Sequence, residues 1–412
     1  MKTCRKKLAV VLVIALFALE PAFAFHPKDY GHLGITRAAL GGITVVVQGQ
    51  TLRFSDRAID QIVQANKETD HPALHALSFL HFDSEDFAGS TVRLEVTKAT
   101  IIDNIAGPSP DGAAARKLLG GMLHTLQDYY SHSNWINLTT YAGTIDTRLG
   151  RQSWGQGNTG PPPTATIDIP TCETDHNNLE GTGFTWLTTG YFDDVDWCYS
   201  GPEDKGKCRH GGIPILCPGG ISKDEPGRDG FPVAKQLAIQ ASIDYVNQIL
   251  NDPAVANNPR AIKALMDVGG TLAVAVDTTN MQTEVPLLQA ELTNLVNEVR
   301  NTEDEPAQYV LVHFDDVQVD PPVVTANATE FLAAVNALQA HGGGCEGPQL
   351  DALQEAISAS QSQARIFLYS HNTPNDLGLT DDLIKAARAK GAEISAHFPS
   401  PCTRFQPHPA VS

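Results

Sequence analysis

Between residues 31 and 135, apolar positions recur at helical spacing in "GHLGITRAAL", "DRAIDQIVQAN" and "AAARKLLGGMLHTLQDYYSH". An apolar stripe on each of several helices predicts a bundle packed on a shared core. The pattern lapses from about 141 to 230, where "GQGNTGPPPT", "SGPEDKGKCRHGG" and "CPGGISKDEPGRDG" are dense in glycine and proline. An irregular insertion is expected there, followed by one more helix through "VAKQLAIQASIDYVNQIL". From 271 the rhythm changes again. "TLAVAV", "YVLVHF", "ARIFLYS" and "AEISAHF" are short apolar runs, separated by the amphipathic patterns of "VPLLQAELTNLVNEVR", "TEFLAAVNALQAH", "LDALQEAISAS" and "DDLIKAARAKG". That alternation predicts a parallel sheet covered on both faces, a doubly wound, Rossmann-like α/β domain. The chain therefore reads as multidomain, with a mostly α-helical N-terminal domain over 25–260, an α/β domain over 268–402 and a tail over 403–412. Ligands of doubly wound sheets bind beyond the carboxyl ends of the strands, where Asp277, Asp315 and Ser370 fall.

Residues 1–24, "MKTCRKKLAVVLVIALFALEPAFA", place Lys2, Arg5, Lys6 and Lys7 before an unbroken apolar segment that ends in Ala22-Phe23-Ala24. This is the pattern of a cleaved secretory signal peptide, so a secreted product is expected, periplasmic if the source is Gram-negative. No later segment is long and apolar enough to span a bilayer. A net charge of -18 gives no global attraction for nucleic acid or anionic membrane, although a bound cation would reverse the sign inside a cleft. Outside the leader stand Cys172, Cys198, Cys208, Cys217, Cys345 and Cys402, an even set for which disulfides are the expectation and the pairing is open. Asn137-Leu138-Thr139 and Asn327-Ala328-Thr329 are glycosylation sequons, usable in a eukaryotic source.

The stretch "HTLQDYYSHSNW" carries the chemistry. His124, Asp128 and His132 recur every fourth residue, and four residues advance about 400° around a helix, so the three share one face. The same half supplies His32, and "ETDHPALHALSFLHFDSED" adds Asp70, His71, His75, His81 and Asp83. Imidazole and carboxylate groups gathered on packed helices make a multinuclear site for zinc or harder divalent ions. His71 and His75 read instead as surface or core-edge histidines, and His210 in "CRHGG" as part of a disulfide loop.

In order, an N-terminal aromatic, an early Gly-His, an Asp followed by a later His-Phe, and a His-x-x-x-Asp helix resemble the zinc-dependent phospholipases C and the single-strand-specific zinc nucleases. The closer variant "HTLQDYYSHSNW" resembles the related Het-C group. The resemblance implies up to three zinc ions held by the Phe25 α-amine, His32, Asp70, His81, His124, Asp128 and His132, with Asp70 and Asp128 as the catalytic carboxylates. It also implies a later His-x-x-x-Glu pair, for which this chain offers His176 and Glu180 inside the insertion. Two departures stand out: the family's last helical histidine lies further on than His132, and "FPVAKQLAIQAS" lacks the histidine that Het-C chains tend to carry there.

"TLAVAVDTTNM", "YVLVHFDD", "HGGGCEGPQLDALQEAI" and "ARIFLYSHN" resemble a von Willebrand factor type A domain. Its pairing with a Het-C-like region is similar to that in the family of von Willebrand factor A domain-containing protein seven. The type A adhesion site uses Asp-x-Ser/Thr-x-Ser to offer hard oxygen ligands to magnesium. Asp277 and Thr279 match, but Met281 stands where the second hydroxyl is needed, and "YSHN" replaces the expected Thr-Asp. A thioether is a poor magnesium ligand, so magnesium is not expected at this degenerate site. The resemblance also implies a Cys345–Cys402 disulfide. Two functions follow: a secreted zinc phosphoesterase acting on a phospholipid or nucleic-acid phosphodiester, with a type A interaction module, or a non-enzymatic protein whose type A domain binds an extracellular protein.

Overall fold

The helical periods of the first half fold as α1 (His32–Gly41), α2 (Asp56–Thr69), α3 (Ser78–His81), α4 (Phe87–Ala106) and α5 (Gly112–His132). After the irregular insertion come α6 (Phe231–Leu250), α7 (Pro253–Ala256) and α8 (Pro259–Met266). This computed structural model describes residues 29–398 apart from 48–49, 108–109, 156, 173–184, 193–205, 212–218, 301, 303–304 and 362–363. Side-chain caps start several of these helices: Ser55, Asp86, Asp111 and Asn258 each accept a first-turn backbone N–H. An antiparallel hairpin, β1 (Thr44–Val47) and β2 (Gln50–Arg53), interrupts the helices.

Every residue of α5 from Leu119 to His132 is buried, so the helix lies at the centre of the bundle, with α2, α4 and α6 packed around it. Arg116 anchors its first half: the guanidinium reaches Gln61 Oε1 at 2.6 Å and the carbonyl of Ala264 at 2.5 Å. Gly120 lets the α2 and α5 backbones touch, because a Cβ built there would meet the Ile62 carbonyl oxygen at 2.4 Å. Gly120→Ala is therefore expected to force the helices apart and to lower stability by about 1–3 kcal/mol, read as a fall in thermal midpoint. An unchanged midpoint would mean that α2 has room to move.

The second half builds a five-stranded sheet in the order β5-β4-β3-β7-β9. Its elements run β3 (Thr271–Asp277), α9 (Glu284–Val299), β4 (Gln308–Phe314), β5 (Val323–Thr325), α10 (Ala328–Asn336), β6 (Glu346–Gly347), α11 (Gln349–Ala359), β7 (Arg365–Tyr369), β8 (Thr373–Pro374), α12 (Thr380–Lys390) and β9 (Glu393–His397). Alternation along central β3 separates two cores. Leu272, Val274 and Val276 join the α9 and α10 residues, while Ala273 and Ala275 join those of α11 and α12. The parallel expectation holds for β3, β4, β7 and β9, but β5 pairs antiparallel with β4. The link from Phe314 to Val323 is too short for the crossover helix that a parallel partner needs. No helix among the described residues is long and apolar enough to cross a membrane.

Candidate metal centre

His124, Asp128 and His132 share one face of α5, as their spacing predicts, and the aromatic residues of the same stretch take other faces. Tyr129, Tyr130 and Trp135 enter the apolar core of the helical half. Tyr129 donates to Asp146 Oδ2 at 2.9 Å, and Tyr130 accepts from the Asp146 N–H at 2.9 Å, so neither buried phenol lacks a partner. One side of the helix thus joins a cluster of metal-capable groups, and the other sides fill the core.

Helix ends bring the other groups to that face: His32 opens α1, Asp70 caps the carboxyl end of α2, and His81 is the last residue of α3. His81 Nδ1 and His124 Nε2 lie 3.1 Å apart, and each is 3.0 Å from Asp128 Oδ2. Asp70 Oδ1 is 3.4 Å from His124 Nε2, and the second Asp128 oxygen is 3.0 Å from His32 Nε2. All five side chains are buried, with His32, His124 and Asp128 at 0% exposure.

Neighbouring amides orient these rings. Gln127 Oε1 accepts from His32 Nδ1 at 2.7 Å, and Asn66 Oδ1 accepts from His124 Nδ1 at 3.2 Å, which turns both Nε2 atoms toward Asp128. Gln127 and Asn66 are held in turn by Thr36 Oγ1, at 3.0 and 3.1 Å. Histidines that present one nitrogen to a shared point while the other is tied to a fixed acceptor are characteristic of metal sites.

The donor set fits a divalent ion on two grounds. Zinc bonds of about 2.0–2.1 Å make a tetrahedron with edges of about 3.3 Å, close to the triangle of His81, His124 and Asp128. Buried Asp70 Oδ2 also lacks a hydrogen bond among the described residues, although a bare polar atom at such depth is costly. Electrostatics agree. Burial opposes a charge on His124, but the Asp70 and Asp128 carboxylates outweigh it and push its pKa up to about 10. Burial also works against the Asp128 anion, yet His124, His132 and His32 hold that carboxyl well below its usual range. A field that stabilises protons at this depth stabilises a metal cation in their place.

A second group adjoins the first. His132 Nδ1 lies 3.0 Å from Asp83 Oδ1, and His132 Nε2 lies 3.3 Å from Asp224 Oδ1 and 3.8 Å from Asp128 Oδ1. His210 Nε2 faces Asp83 at 3.9 Å and Asp224 at 4.0 Å. A small pocket connects this group to solvent, lined by Asp70, His75, His81, Asp83, His132, Phe192 and His210. His32, His124 and Asp128 do not line it, so the deep side of the first group is enclosed, while its Asp70 and His81 share the mouth with the second group.

His32, Asp70, His81, His124, Asp128 and His132 thus come together as the sequence implied. His210 corrects the sequence reading, because its disulfide loop delivers the ring to the carboxylates. Asp83, named among the metal-capable groups, has no place in the ligand set that the resemblance implies, and Asp224 is absent from the sequence reading because it lies in the Gly/Pro-rich insertion with no periodic signal. His75 sits at the core edge as read, its ring against the Asp70 carbonyl, and His71 is exposed. Phe25, His176 and Glu180 lie outside the described residues. Cys172 pairs with Cys208. Cys345 is disulfide-bonded, and Cys402, Cys198 and Cys217 lie outside the described residues.

At the carboxyl edge of the sheet, Asp277 is closed by its own neighbours. Ser370 donates to Oδ2 at 2.8 Å and the Thr279 N–H donates to Oδ1 at 2.9 Å, while burial raises the carboxyl pKa. His371 donates to the Thr279 carbonyl at 2.9 Å, and Met281 is wholly buried in the core against α9. Where an adhesion site would offer a second hydroxyl, this chain places core.

Comparison with known proteins divides the chain in the same way. Residues 35–258 match the family model "VWA7 N-terminal domain", and residues 271–406 match "von Willebrand factor A domain". The von Willebrand factor A domain-containing protein 7 of Homo sapiens is 30% identical over 379 residues, covering 87% of this chain and 40% of that protein. Its Rattus norvegicus counterpart is 28% identical over 397 residues, with 87% and 42% covered. The chain thus spans about two-fifths of the length of these relatives. Among solved structures, the vWF domain of the type V pili tip protein Mfa5 from Porphyromonas gingivalis aligns at 12% identity over 25% of this chain and 37% of that one. Its TM-score of 0.19 is too low to support further argument.

Proposed function

The chain belongs to the VWA7 N-terminal domain family, with a von Willebrand factor A domain behind that region, and on this premise we propose that it is a secreted, zinc-dependent phosphoester hydrolase with an attached interaction module. One observation carries the reading: three ligand atoms from separate positions, His81 Nδ1, His124 Nε2 and Asp128 Oδ2, form a buried triangle with sides of 3.0 to 3.1 Å beside a pocket to solvent. His32, Asp70, His81, His124 and Asp128 would hold the zinc. The ion supplies Lewis-acid polarisation of a phosphoryl oxygen and a water acidified toward neutral pH. Asp70 is the carboxylate placed to accept a proton, because it lines the pocket and its Oδ2 makes no hydrogen bond among the described residues. Asp128 lies behind the pocket and acts as a ligand. The type A domain serves an extracellular protein partner. Secretion rests on the leader-like residues 1–24.

The mature chain, stripped by chelation and reloaded with zinc, is expected to cleave bis(p-nitrophenyl) phosphate, phosphatidylcholine or single-stranded nucleic acid. Turnover should rise toward neutral pH, and Asp70→Asn should lower it. Bound zinc with no turnover on any of the three substrates would leave the type A interaction as the function.

A further inference from the structure

The mouth of the site hangs on one short extended segment, residues 207–210. His210, its last residue, faces Asp83 and Asp224 directly. Lys207, its first, places its ammonium between the Glu85 carboxylate oxygens at 3.0 and 2.8 Å, and Glu85 stands two residues after Asp83. The turn that carries Asp83 needs such a hold. Phe82, Ser84 and Glu85 have φ of 54, 53 and 58°, left-handed values that residues with a Cβ adopt only under constraint. One segment thus supplies one mouth ligand and fixes the turn of another.

Between Lys207 and His210 lies Cys208, bonded to Cys172 across a separation of 36 residues. Polar contacts secure this part of the chain as well: the Lys207 ammonium bonds Glu85 and the carbonyls of Thr166 and Ile169, and the Arg209 and His210 carbonyls accept from the Ile221 and Ser222 N–H groups at 3.1 and 3.0 Å. The apolar cluster around the disulfide contains only Cys172, Cys208 and Ile221 among the described residues. Backbone bonds run to Tyr191, itself in the irregular insertion, from the Tyr191 N–H to the Cys208 carbonyl at 2.9 Å and from the His210 N–H to the Tyr191 carbonyl at 3.1 Å. With so small a local core, a covalent tie adds substantially to the order that these polar contacts give the segment.

We infer that Asp83, His132, His210 and Asp224 form a separate cation position at the mouth, able to exchange its ion while the enclosed position keeps its own, and that the Cys172–Cys208 disulfide holds this mouth position together. Buried His132 Nε2 is turned toward Asp224 and Asp128, at 3.3 and 3.8 Å, as a ligand to such an ion would be. The inference rests on the metal reading of the adjoining site. It makes the mouth redox-sensitive: in the oxidised protein four groups converge, and after reduction the segment that carries Lys207 and His210 loses its covalent tie.

The test uses the full mature chain, freed of metal and titrated with Zn²⁺ alone, with bound metal counted by elemental analysis and affinity read by calorimetry. The wild type is expected to bind at least two equivalents of unequal affinity. His210→Ala and Asp224→Asn, with the disulfide intact, should each remove the weaker equivalent and leave the tighter. Cys172→Ala/Cys208→Ala should weaken the mouth position by roughly tenfold or more, as loss of an outer support does in other metal sites. Native wild type reduced by a phosphine and alkylated should match it, which covers failure of the double variant to fold. Two equivalents retained in His210→Ala, or unchanged affinity after reduction, would overturn the inference while leaving the enclosed zinc intact. A wild type that binds no zinc overturns the function reading and the inference together.

Discussion

His124→Ala is expected to empty the enclosed position and to destabilise the helical half by about 3–5 kcal/mol in the metal-free protein, because it strips a partner from two buried carboxylates. His124 contacts both: its Nε2 lies 3.4 Å from Asp70 Oδ1 and 3.0 Å from Asp128 Oδ2. A network held together by hydrogen bonds alone would also be damaged by this change, so stability by itself does not separate the two accounts. Linkage does. Whatever binds the folded state alone adds stability that chelation removes. Chelator should therefore lower the unfolding midpoint of the wild type substantially and that of His124→Ala much less, and elemental analysis should find the tight equivalent missing from the variant. A variant with full metal content, or equal sensitivity to chelator in both proteins, would make the face of α5 a structural network.

Lys207→Met should bring a loss of similar size with an opposite diagnostic, since no metal is involved. The Lys207 side chain is at 0% exposure, and its ammonium donates to both Glu85 oxygens and to the carbonyls of Thr166 and Ile169. Methionine keeps much of the volume and removes the charge, leaving Glu85 buried with the Thr188 and Tyr191 hydroxyls as its side-chain partners among the described residues, at 2.7 and 3.0 Å. Breaking a buried pair in this way costs about 3–5 kcal/mol. The pH dependence has a definite sign. Burial already raises the Glu85 carboxyl pKa above its ordinary value despite Lys207, and loss of the ammonium raises it further. A carboxyl raised in the folded state is tolerated while protonated and becomes a liability as pH climbs through its unfolded pKa. Denaturation of chelated protein should show a large deficit at pH 7 that shrinks on acidification toward that value. A deficit independent of pH would assign the loss to packing.

Several features of this protein are properties of short stretches of chain. Helical spacing alone puts His124, Asp128 and His132 on one face, because three residues at intervals of four have no other arrangement on a helix. Alternating apolar runs and amphipathic helices likewise specify the sheet of the second half and its two covered faces, since each strand residue must point to one side or the other. The substitution at Met281 is legible as well: a residue with no hard oxygen cannot serve magnesium, and burial in the core is where an unbranched apolar side chain belongs. Tertiary structure alone decided the rest. Asp83, His210 and Asp224 come from a strained turn and from a Gly/Pro-rich insertion without period, so no local pattern marks them as companions of His132. Glu85 and Lys207, 122 positions apart, meet only because the insertion folds back over α3 and α5. The antiparallel placement of β5 is set by the reach of the short link from β4. A helix or strand is dictated by neighbours a few residues away, whereas a metal site is a convergence of distant segments, and what brings them together is the packing of the whole bundle.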